Sequence, residues 1–531
     1  MFRIERWAVP ALVAGVMLGA FFVWAGSKGY PTAVGYDSFC YLSPAMNAER
    51  GLGYTSLNCS FLSMCDPTLH RLLAYPAGFQ MVLSGLMLKA EFGQLFAAEQ
   101  LIQAATVLLG TLAVMRAIAR SAPALSAVLK GGLTLLATLV LAAGFHGMGL
   151  GRPEVLSQFL IALAVLVLGE VSGVAIWLFA GLFIGLAGTV SPWAAVTGGF
   201  AFVWWRSLAL ETWRELSLQT AAAAAVSVVS FVLLSFGLPA SISEMVQGAS
   251  CASKWISEMV GDGQLGFQNW KYHFFFYEGA SFYAFLLIFG GVELARPRQM
   301  FQARTLSGFL RSALPMAMVI CAVVAVNLYR MYVIMPWSVA ILVGVCAATA
   351  VDFAPRIDSA GPAKAPVAAW LRTALLLSCT MSLVFGLGGW PGYAAGPGRR
   401  GPAAAVESVL DRFPNERVGV GYEVLTLSER DERMVWFGPG SQAKGFPVVE
   451  PPRVVLLRGP CQDKAMPGYQ TVCLPWREPG PSLHRWVDFG RFGWSFTLLV
   501  RDDAGIDVDA LVNEMMCAAG DAAKPGSCRP R

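Results

Sequence analysis

The chain has 531 residues, of which 56% are hydrophobic and 14% charged, and its formal net charge is +5. Soluble globular domains carry about 25% charged residues, so this composition excludes a protein that is soluble throughout. Lysine and arginine are spread over many segments between apolar runs. This distribution is more informative about how the helices are oriented in a membrane than about nucleic-acid binding. The sequence therefore predicts a mainly α, polytopic helical membrane protein.

The first apolar stretch follows a charged start, "MFRIERWAVPALVAGVMLGAFFVWAG". A secretory signal peptide also begins in this way. The apolar part here runs to about eighteen residues and no clear small-residue cleavage site follows, which favours a retained membrane anchor.

Apolar runs of membrane-spanning length predict about eleven spans. They lie at residues 7–26, 96–115, 131–148, 155–170, 174–190, 192–209, 218–237, 280–294, 312–328, 331–350 and 369–389. With a cytoplasmic N-terminus, the inside loops are the ones rich in basic residues: Arg116, Arg120, Lys130, Arg206, Arg214, Arg296, Arg298, Arg304, Arg311, Arg356, Lys364 and Arg372. This distribution predicts an integral protein of the bacterial inner membrane with a periplasmic C-terminus.

The first outer loop, residues 31–95, contains a segment that tests this topology. Residues 71–89, "RLLAYPAGFQMVLSGLMLK", are apolar enough to form a further span. If they crossed the membrane, every later loop would change sides. Arg71 and Lys89 at the two ends favour a helix that lies in the outer interface.

The chain changes character after residue 390. "GGWPGYAAGPGRRGP" is typical of a linker, and "RVGVGYEVLTL", "PRVVLLRG", "YQTVCLPW" and "WSFTLLVRDD" are typical of strands. "DVDALVNEMMCAAG" indicates a closing helix. We expect two domains, a transmembrane domain at 1–390 and a periplasmic α/β or α+β domain at 391–531.

The cysteines agree with this sidedness. Seven of the eleven fall in predicted outside segments: Cys40, Cys59, Cys65, Cys461, Cys473, Cys517 and Cys528. Candidate disulfides are Cys461 with Cys473, Cys517 with Cys528 and Cys59 with Cys65, although spacing alone does not fix the pairing.

Ionisable residues from distant parts of the chain are predicted at one membrane depth. Asp37 follows the first span, His146 and the "GRPE" residues Arg152 and Glu154 lie between the third and fourth, and Arg330 lies between the ninth and tenth. Ionisable groups at such positions are expensive to keep in a membrane protein, so their convergence predicts a functional site.

These segments, in this order and on this side, resemble the GT-C superfamily of membrane glycosyltransferases, which includes protein O-mannosyltransferases and aminoarabinose transferases. "YDSFCYLSPAMNAERGLGYTS" is similar to the family's acidic first outer loop, and "AYPAGFQMVLSGLM" to its second interfacial helix. "GRPEVLSQFLIALAVL" resembles the second acidic site, and "YRMYVIMP" a late Arg-aromatic-proline signature. The chain departs from the family pattern in having Glu154 where many members have Asp, and in lacking a lysine-proline pair before the second interfacial helix.

The resemblance implies a catalytic transmembrane domain that moves a sugar from a polyprenyl-phosphate donor to a lipid, glycan or protein acceptor outside the cytoplasm. It implies that Asp37 is the general base and that Glu154 is a second catalytic acid. Substrate-binding residues would be Tyr36, Tyr75, His146, Arg152, Arg330 and Tyr332. No cofactor is implied with certainty, but Glu154 and Asp37 together would suit a divalent metal. The expected partners are these substrates and membrane lipids, with no nucleic acid.

Structural interpretations of the same residues remain open. Asp37 would cap an interfacial helix beginning near Phe39, and Glu154 would favour the dipole of a span's first turn. Arg152 and Arg330 would extend toward the interface from span ends. The alternative function is a polytopic transporter or flippase, which predicts internal symmetry and charges within the spans. A polymerase or ligase of lipid-linked glycans lacks an acid directly after the first span.

Overall fold

The computed structural model describes most of the two predicted domains. The described residues are 6–27, 36–54, 78–147, 152–170, 174–207, 212–236, 365–383, 400–421, 424–429, 433–437, 450–458, 466–475 and 495–519, with residue 250 and scattered helical positions from 309 to 350. For some helical residues, including 36–40 and 144–147, only the backbone is described.

The transmembrane domain is helical throughout its longer described segments. After a short 3-10 turn at Arg6–Ala8, the helices are α1 (Val9–Ser27), α2 (Tyr36–Glu49), α3 (Gly78–Leu86), α4 (Phe92–Ser121), α5 (Ala127–Gly147), α6 (Glu154–Glu170), α7 (Val174–Val190), α8 (Pro192–Ser207), α9 (Trp213–Phe236) and α10 (Ala365–Met381). At 1.5 Å per residue, the 30-residue α4 is about 45 Å long. It is the central helix, since α1, α5 and α6 all pack against it.

Close packing at small residues fixes the directions of α1, α4 and α5. A Cβ at Gly19 would lie 3.2 Å from the Cβ of Ala104, and a Cβ at Gly131 would lie 2.6 Å from the carbonyl oxygen of Trp7. Thr111 and Thr138 share a buried hydroxyl hydrogen bond of 2.9 Å. The start of α1, the end of α4 and the start of α5 therefore lie together. We call this the basic end, after its residues Arg6, Arg116, Arg120 and Lys130.

The opposite end of the bundle, the site end, is formed by Ser27 of α1, Phe92 of α4, Glu154 of α6 and Val190 of α7. Helix α3 meets it, because a Cβ at Gly78 would lie 2.8 Å from the carbonyl oxygen of Thr189. The segments predicted outside and those predicted inside thus occupy opposite ends of the described bundle.

Eight of the predicted spans coincide with described helices, namely α1 and α4 through α10. Among the described residues, three helical segments are long and apolar enough to cross a membrane, Arg6–Trp24, Phe92–Ser121 and Arg214–Leu233. The span predicted at 280–294 lies outside the described residues. Those at 312–328 and 331–350 are described only at scattered helical positions.

Helix α3 lies within residues 71–89, the segment that could form either a further span or an interfacial helix. Its nine residues extend about 14 Å, less than half of a hydrocarbon core of about 30 Å. Phe79 and Leu83 are buried, whereas Leu86 is exposed. These properties support a helix in the interface, while residues 71–77 lie outside the described part.

The C-terminal domain contains a mixed five-stranded sheet in the order β2-β1-β3-β5-β4. Its elements are α11 (Arg400–Arg412), β1 (Val418–Val420), β2 (Met434–Trp436), β3 (Val454–Arg458), β4 (Tyr469–Pro475), β5 (Ser495–Arg501) and α12 (Val508–Ala518). β1 pairs in parallel with β2 and β3, and β5 pairs antiparallel with β3 and β4. The expected sheet and closing helix are confirmed.

Two details of this domain differ from the sequence prediction. Helix α11 begins at Arg400, inside the predicted linker, because "AAAVESVL" buries one apolar face there, including Val406 and Val409. The strand predicted through "RVGVGYEVLTL" ends at Val420, and Leu425–Leu427 form a 3-10 turn.

The cysteines follow the predicted division. Cys473 and Cys517 in the C-terminal domain are disulfide-bonded, whereas Cys346 and Cys379 in predicted spans are free. The expected partners Cys461 and Cys528, and the pair Cys59 and Cys65, lie outside the described residues. The pairings therefore stay predictions.

Candidate functional site

The candidate site is built where α2, α4 and α6 meet at the site end. Arg152 and Pro153 lead directly into α6, whose first residue is Glu154. A residue before proline is restricted to extended backbone, so the helix cannot begin earlier than this. The "GRPE" sequence thus fixes an arginine and an acid at the helix N-terminus.

Arg152 and Glu154 form a buried ion pair. Arg152 Nη2 lies 3.2 Å from Glu154 Oε1, and the two side chains are only 6% and 2% exposed. The guanidinium also lies over the ring of Tyr41 in α2, with 5.4 Å from Cζ to the ring centroid. Arg152 therefore contacts the protein interior, which opposes the interpretation that it extends from a span end toward the interface.

A second carboxylate, Glu99, completes this cluster from α4. Its side chain is fully buried, and its Oε1 accepts the backbone N–H of Arg152 at 3.4 Å. Glu99 was not among the predicted site residues. The available signal was an acid in the apolar 30-residue α4, since such residues are rare unless they serve a function.

Polar side chains continue from the cluster into the interior. Asn47 of α2, Gln80 of α3 and Gln103 of α4 are all at most 3% exposed. Within the described part of the chain, Gln80 Oε1 accepts no hydrogen bond. These three helices therefore carry buried polar side chains near the site end.

Gln158 links the site end to the late part of the transmembrane domain. One turn after Glu154 on α6, its Oε1 accepts the backbone N–H of Val339 at 2.9 Å. Cys346, further along the same segment, lies 4.0 Å from the carbonyl oxygen of Leu133 near the basic end. The chain therefore approaches the site end as it runs back from residue 346 to residue 339.

Asp37 and Tyr36 form the first turn of α2. The helix begins three residues before the predicted start at Phe39, so Asp37 lies within its first turn instead of preceding it. Positions 37 and 41 are four residues apart and share a helix face. Since Tyr41 contacts Arg152, Asp37 lies one turn from the ion pair along α2.

The other predicted site residues are described in part or not at all. His146 lies in the last turn of α5, whose backbone reaches the site end. Tyr75, Arg330 and Tyr332 lie outside the described residues. The described structure thus brings Arg152 and Glu154 together and places the helical turns of Tyr36, Asp37 and His146 at the same end.

The cluster combines two carboxylates and one guanidinium at the N-terminus of α6, whose dipole adds partial positive charge. Among the described side chains, no group of three or more His, Cys, Asp or Glu residues could hold a metal ion. Glu154 is engaged by Arg152, so the described geometry favours orientation of the arginine over metal binding by this acid. An anion such as a phosphate would find a buried guanidinium here.

No protein-family model and no curated protein matches the sequence. Solved structures do match the fold. The oligosaccharyltransferase of Archaeoglobus fulgidus, tethered with an acceptor peptide containing the NVT sequon, has a TM-score of 0.50 and 14% identity over 81% of this chain. The apo form of that enzyme matches equally well.

ArnT from Cupriavidus metallidurans, bound to undecaprenyl phosphate, matches with a TM-score of 0.45 and 13% identity, covering 93% of this chain and 97% of its own. The match to the archaeal enzyme spans 64% of the length of that enzyme. The similarity shows a fold shared with the archaeal oligosaccharyltransferase, as the predicted resemblance implies.

Proposed function

We propose that the chain is a membrane glycosyltransferase that moves a sugar from a polyprenyl-phosphate donor to a lipid, glycan or protein acceptor outside the cytoplasm. One observation carries the proposal. Arg152, which pairs with Glu154 and donates its backbone N–H to Glu99, lies over the ring of Tyr41, on the helix whose first turn contains Asp37. On a GT-C fold, this joins the two acidic segments that transfer would need.

The proposed chemistry assigns Asp37 as the general base. Displacement of a lipid phosphate at the anomeric carbon develops oxocarbenium character, as in glycoside hydrolysis. The acceptor hydroxyl loses its proton as it attacks, and a carboxylate within hydrogen-bond reach takes that proton. An aspartate has an ordinary pKa of about 3.9, so it is ionised and ready to accept at neutral pH.

Arg152 stabilises the departing phosphate. A guanidinium presents its N–H donors in a planar fork that suits phosphate oxygens. In this structure Glu154 holds one edge of the fork at 3.2 Å, and Tyr41 lies against its face. Glu154 thereby orients the arginine, and burial strengthens the interaction between the guanidinium and the charge that develops on the phosphate.

Arg330 and Tyr332 join the site from the segment before Val339. Val339, which follows this segment, lies against Gln158 one turn from Glu154, whereas Cys346 lies near the basic end. That direction supports a second phosphate contact from Arg330. Tyr36, Tyr75, His146 and Tyr332 supply hydrogen bonds to the sugar and the acceptor.

The test replaces Asp37 with Asn in protein reconstituted in nanodiscs with a polyprenyl-phosphate sugar donor. Loss of the base should lower the transfer rate by about 100-fold or more, while donor binding is retained. Glu49→Gln is the matched control, because Glu49 is the exposed last residue of the same helix. Full transfer activity in folded Asp37→Asn protein would refute this role.

The same preparation separates the proposal from the transporter alternative. A transferase produces glycosylated acceptor and free lipid phosphate without a second compartment. Movement of the lipid-linked sugar across a vesicle membrane, with no transfer product at any donor concentration, would favour transport instead.

A further inference from the structure

The N-terminus of α4 is capped from the other domain. The residue before the helix, Glu91, makes no side-chain capping hydrogen bond. Instead, both carboxylate oxygens of Glu429 accept the backbone N–H of Phe92, at 3.1 Å each. A carboxylate at a helix N-terminus satisfies an unpaired amide and interacts favourably with the helix dipole. Here that carboxylate is supplied 337 residues away in sequence.

The same glutamate also holds the end of α2. Arg50, directly after α2, donates from Nη2 to the backbone oxygen of Glu429 at 2.9 Å and lies 3.4 Å from its Oε2. The Arg50 side chain is 19% exposed and that of Glu429 is 38% exposed. Charge-assisted hydrogen bonds of this kind are stronger than neutral ones.

Glu429 therefore connects the two helices that carry the acidic groups of the candidate site. Helix α2 begins with the turn of Asp37 and ends beside Arg50, about 20 Å away. Helix α4 begins at Phe92 and carries Glu99 two turns later. Displacement of the start of α4 shifts Glu99 relative to Arg152, and displacement of the end of α2 is transmitted to its first turn through a helix that contains Pro44.

We propose that Glu429 is a positioning residue through which the C-terminal domain sets the placement of Asp37 and Glu99. The C-terminal domain then contributes to catalysis through the positions of α2 and α4. The way this domain is held against α2 and α4 affects the rate of the chemical step, although the domain does not itself contact the sugar. This inference rests on the proposed transferase function for its kinetic prediction, whereas its structural prediction stands without that function.

The experiment uses the full chain in nanodiscs and compares Glu429→Ala with Glu429→Gln and Glu514→Ala. Glutamine keeps an oxygen that can accept the Phe92 N–H but loses the charge. Glu514 is the matched control, because it is also 38% exposed, pairs with Arg412 at 2.8 Å and lies in the same domain. Arg412 also belongs to the C-terminal domain, so this pair does not join the two domains.

Two readouts distinguish positioning from general stability. We expect Glu429→Ala to lower kcat about tenfold, equivalent to about 1.36 kcal/mol, with KM for the donor nearly unchanged. Hydrogen exchange should accelerate in peptides covering residues 36–54 and 92–99. Glu429→Gln should recover most of the kcat, and Glu514→Ala should change neither quantity. If Glu429→Ala does not fold, Arg50→Met removes the contact to α2 and is measured in its place.

Wild-type exchange in both peptides of Glu429→Ala would overturn the proposal, even if kcat fell. Equal loss of kcat in Glu514→Ala would also overturn it, because the effect would then be one of domain stability. If the wild-type protein transfers no sugar, the proposed function fails separately. Faster exchange in the Glu429→Ala peptides would still support the connection in that case.

Discussion

Replacing Arg152 with methionine removes the guanidinium that contacts Glu154 and leaves that carboxylate buried without this partner. The Glu154 side chain is 2% exposed, so water replaces little of the lost interaction. We expect Arg152→Met to lower the free energy of unfolding substantially, in addition to abolishing transfer.

The magnitude follows from the geometry of the pair. At the observed 3.2 Å and an effective dielectric of about 20, the attraction is about 5 kcal/mol. Part of this offsets the cost of removing both charges from water, but deletion of one partner leaves the other charge buried. Such deletions typically cost about 3–5 kcal/mol, which we expect for Arg152→Met.

Unfolding of the purified protein in detergent micelles, followed by tryptophan fluorescence, measures this loss. Arg412→Met is the control, because Arg412 pairs with Glu514 at a shorter 2.8 Å but with side chains 24% and 38% exposed. That exposed pair should contribute only about 0.2–1 kcal/mol. Adding Glu154→Gln to Arg152→Met should restore part of the stability, since the buried charge is then removed. An Arg152→Met protein as stable as the Arg412→Met control would refute this reasoning.

Three further changes test the fold. Gly185→Ala would place a Cβ 2.6 Å from a backbone oxygen of α9, so it should lower the free energy of unfolding by about 1–3 kcal/mol. Gly199→Ala is the control, because a Cβ there would have nothing within 4 Å and should not change this free energy. Unfolding measurements on both variants test the difference. Burial raises the pKa of Tyr469 above its ordinary value of about 10. Its contribution to stability is therefore complete below a pH of about 10 and is lost as the pH rises further. In unfolding measurements over a pH series, Tyr469→Phe should make the free energy of unfolding less dependent on pH in this range. Cys473 and Cys517 are disulfide-bonded, and reduction should lower the free energy of unfolding by about 2–4 kcal/mol for each bond broken; an unchanged unfolding transition under reductant would contradict this.

Much of the transmembrane domain could be predicted because its information is local. Apolar runs separated by glycine, proline or charge gave α6, α7 and α8 within a few residues, since every backbone polar group in a span must be paired within the helix. The relative ends of α1, α4 and α5 followed from the distribution of arginine and lysine. The resemblance to the GT-C superfamily was drawn from the order and side of short segments, none of them specific alone.

The remaining features depend on contacts between distant residues. Glu99 and Arg152 are 53 positions apart, and neither local sequence indicates that the two residues are in contact. The contact between Glu429 and Phe92 joins the C-terminal domain to the transmembrane domain. Helix α11 was missed because glycine and proline before Arg400 indicated a linker, although the alanine-rich run after it packs against α12.

The central claim is that Asp37 and Arg330 meet the Arg152–Glu154 pair at one end of the bundle. Single cysteines at positions 37, 330 and 120, with the native free thiols blocked, can be labelled by a membrane-impermeant maleimide in vesicles of known orientation. The account predicts that positions 37 and 330 react from the same face and position 120 from the opposite face. Labelling of positions 37 and 330 from opposite faces would contradict it.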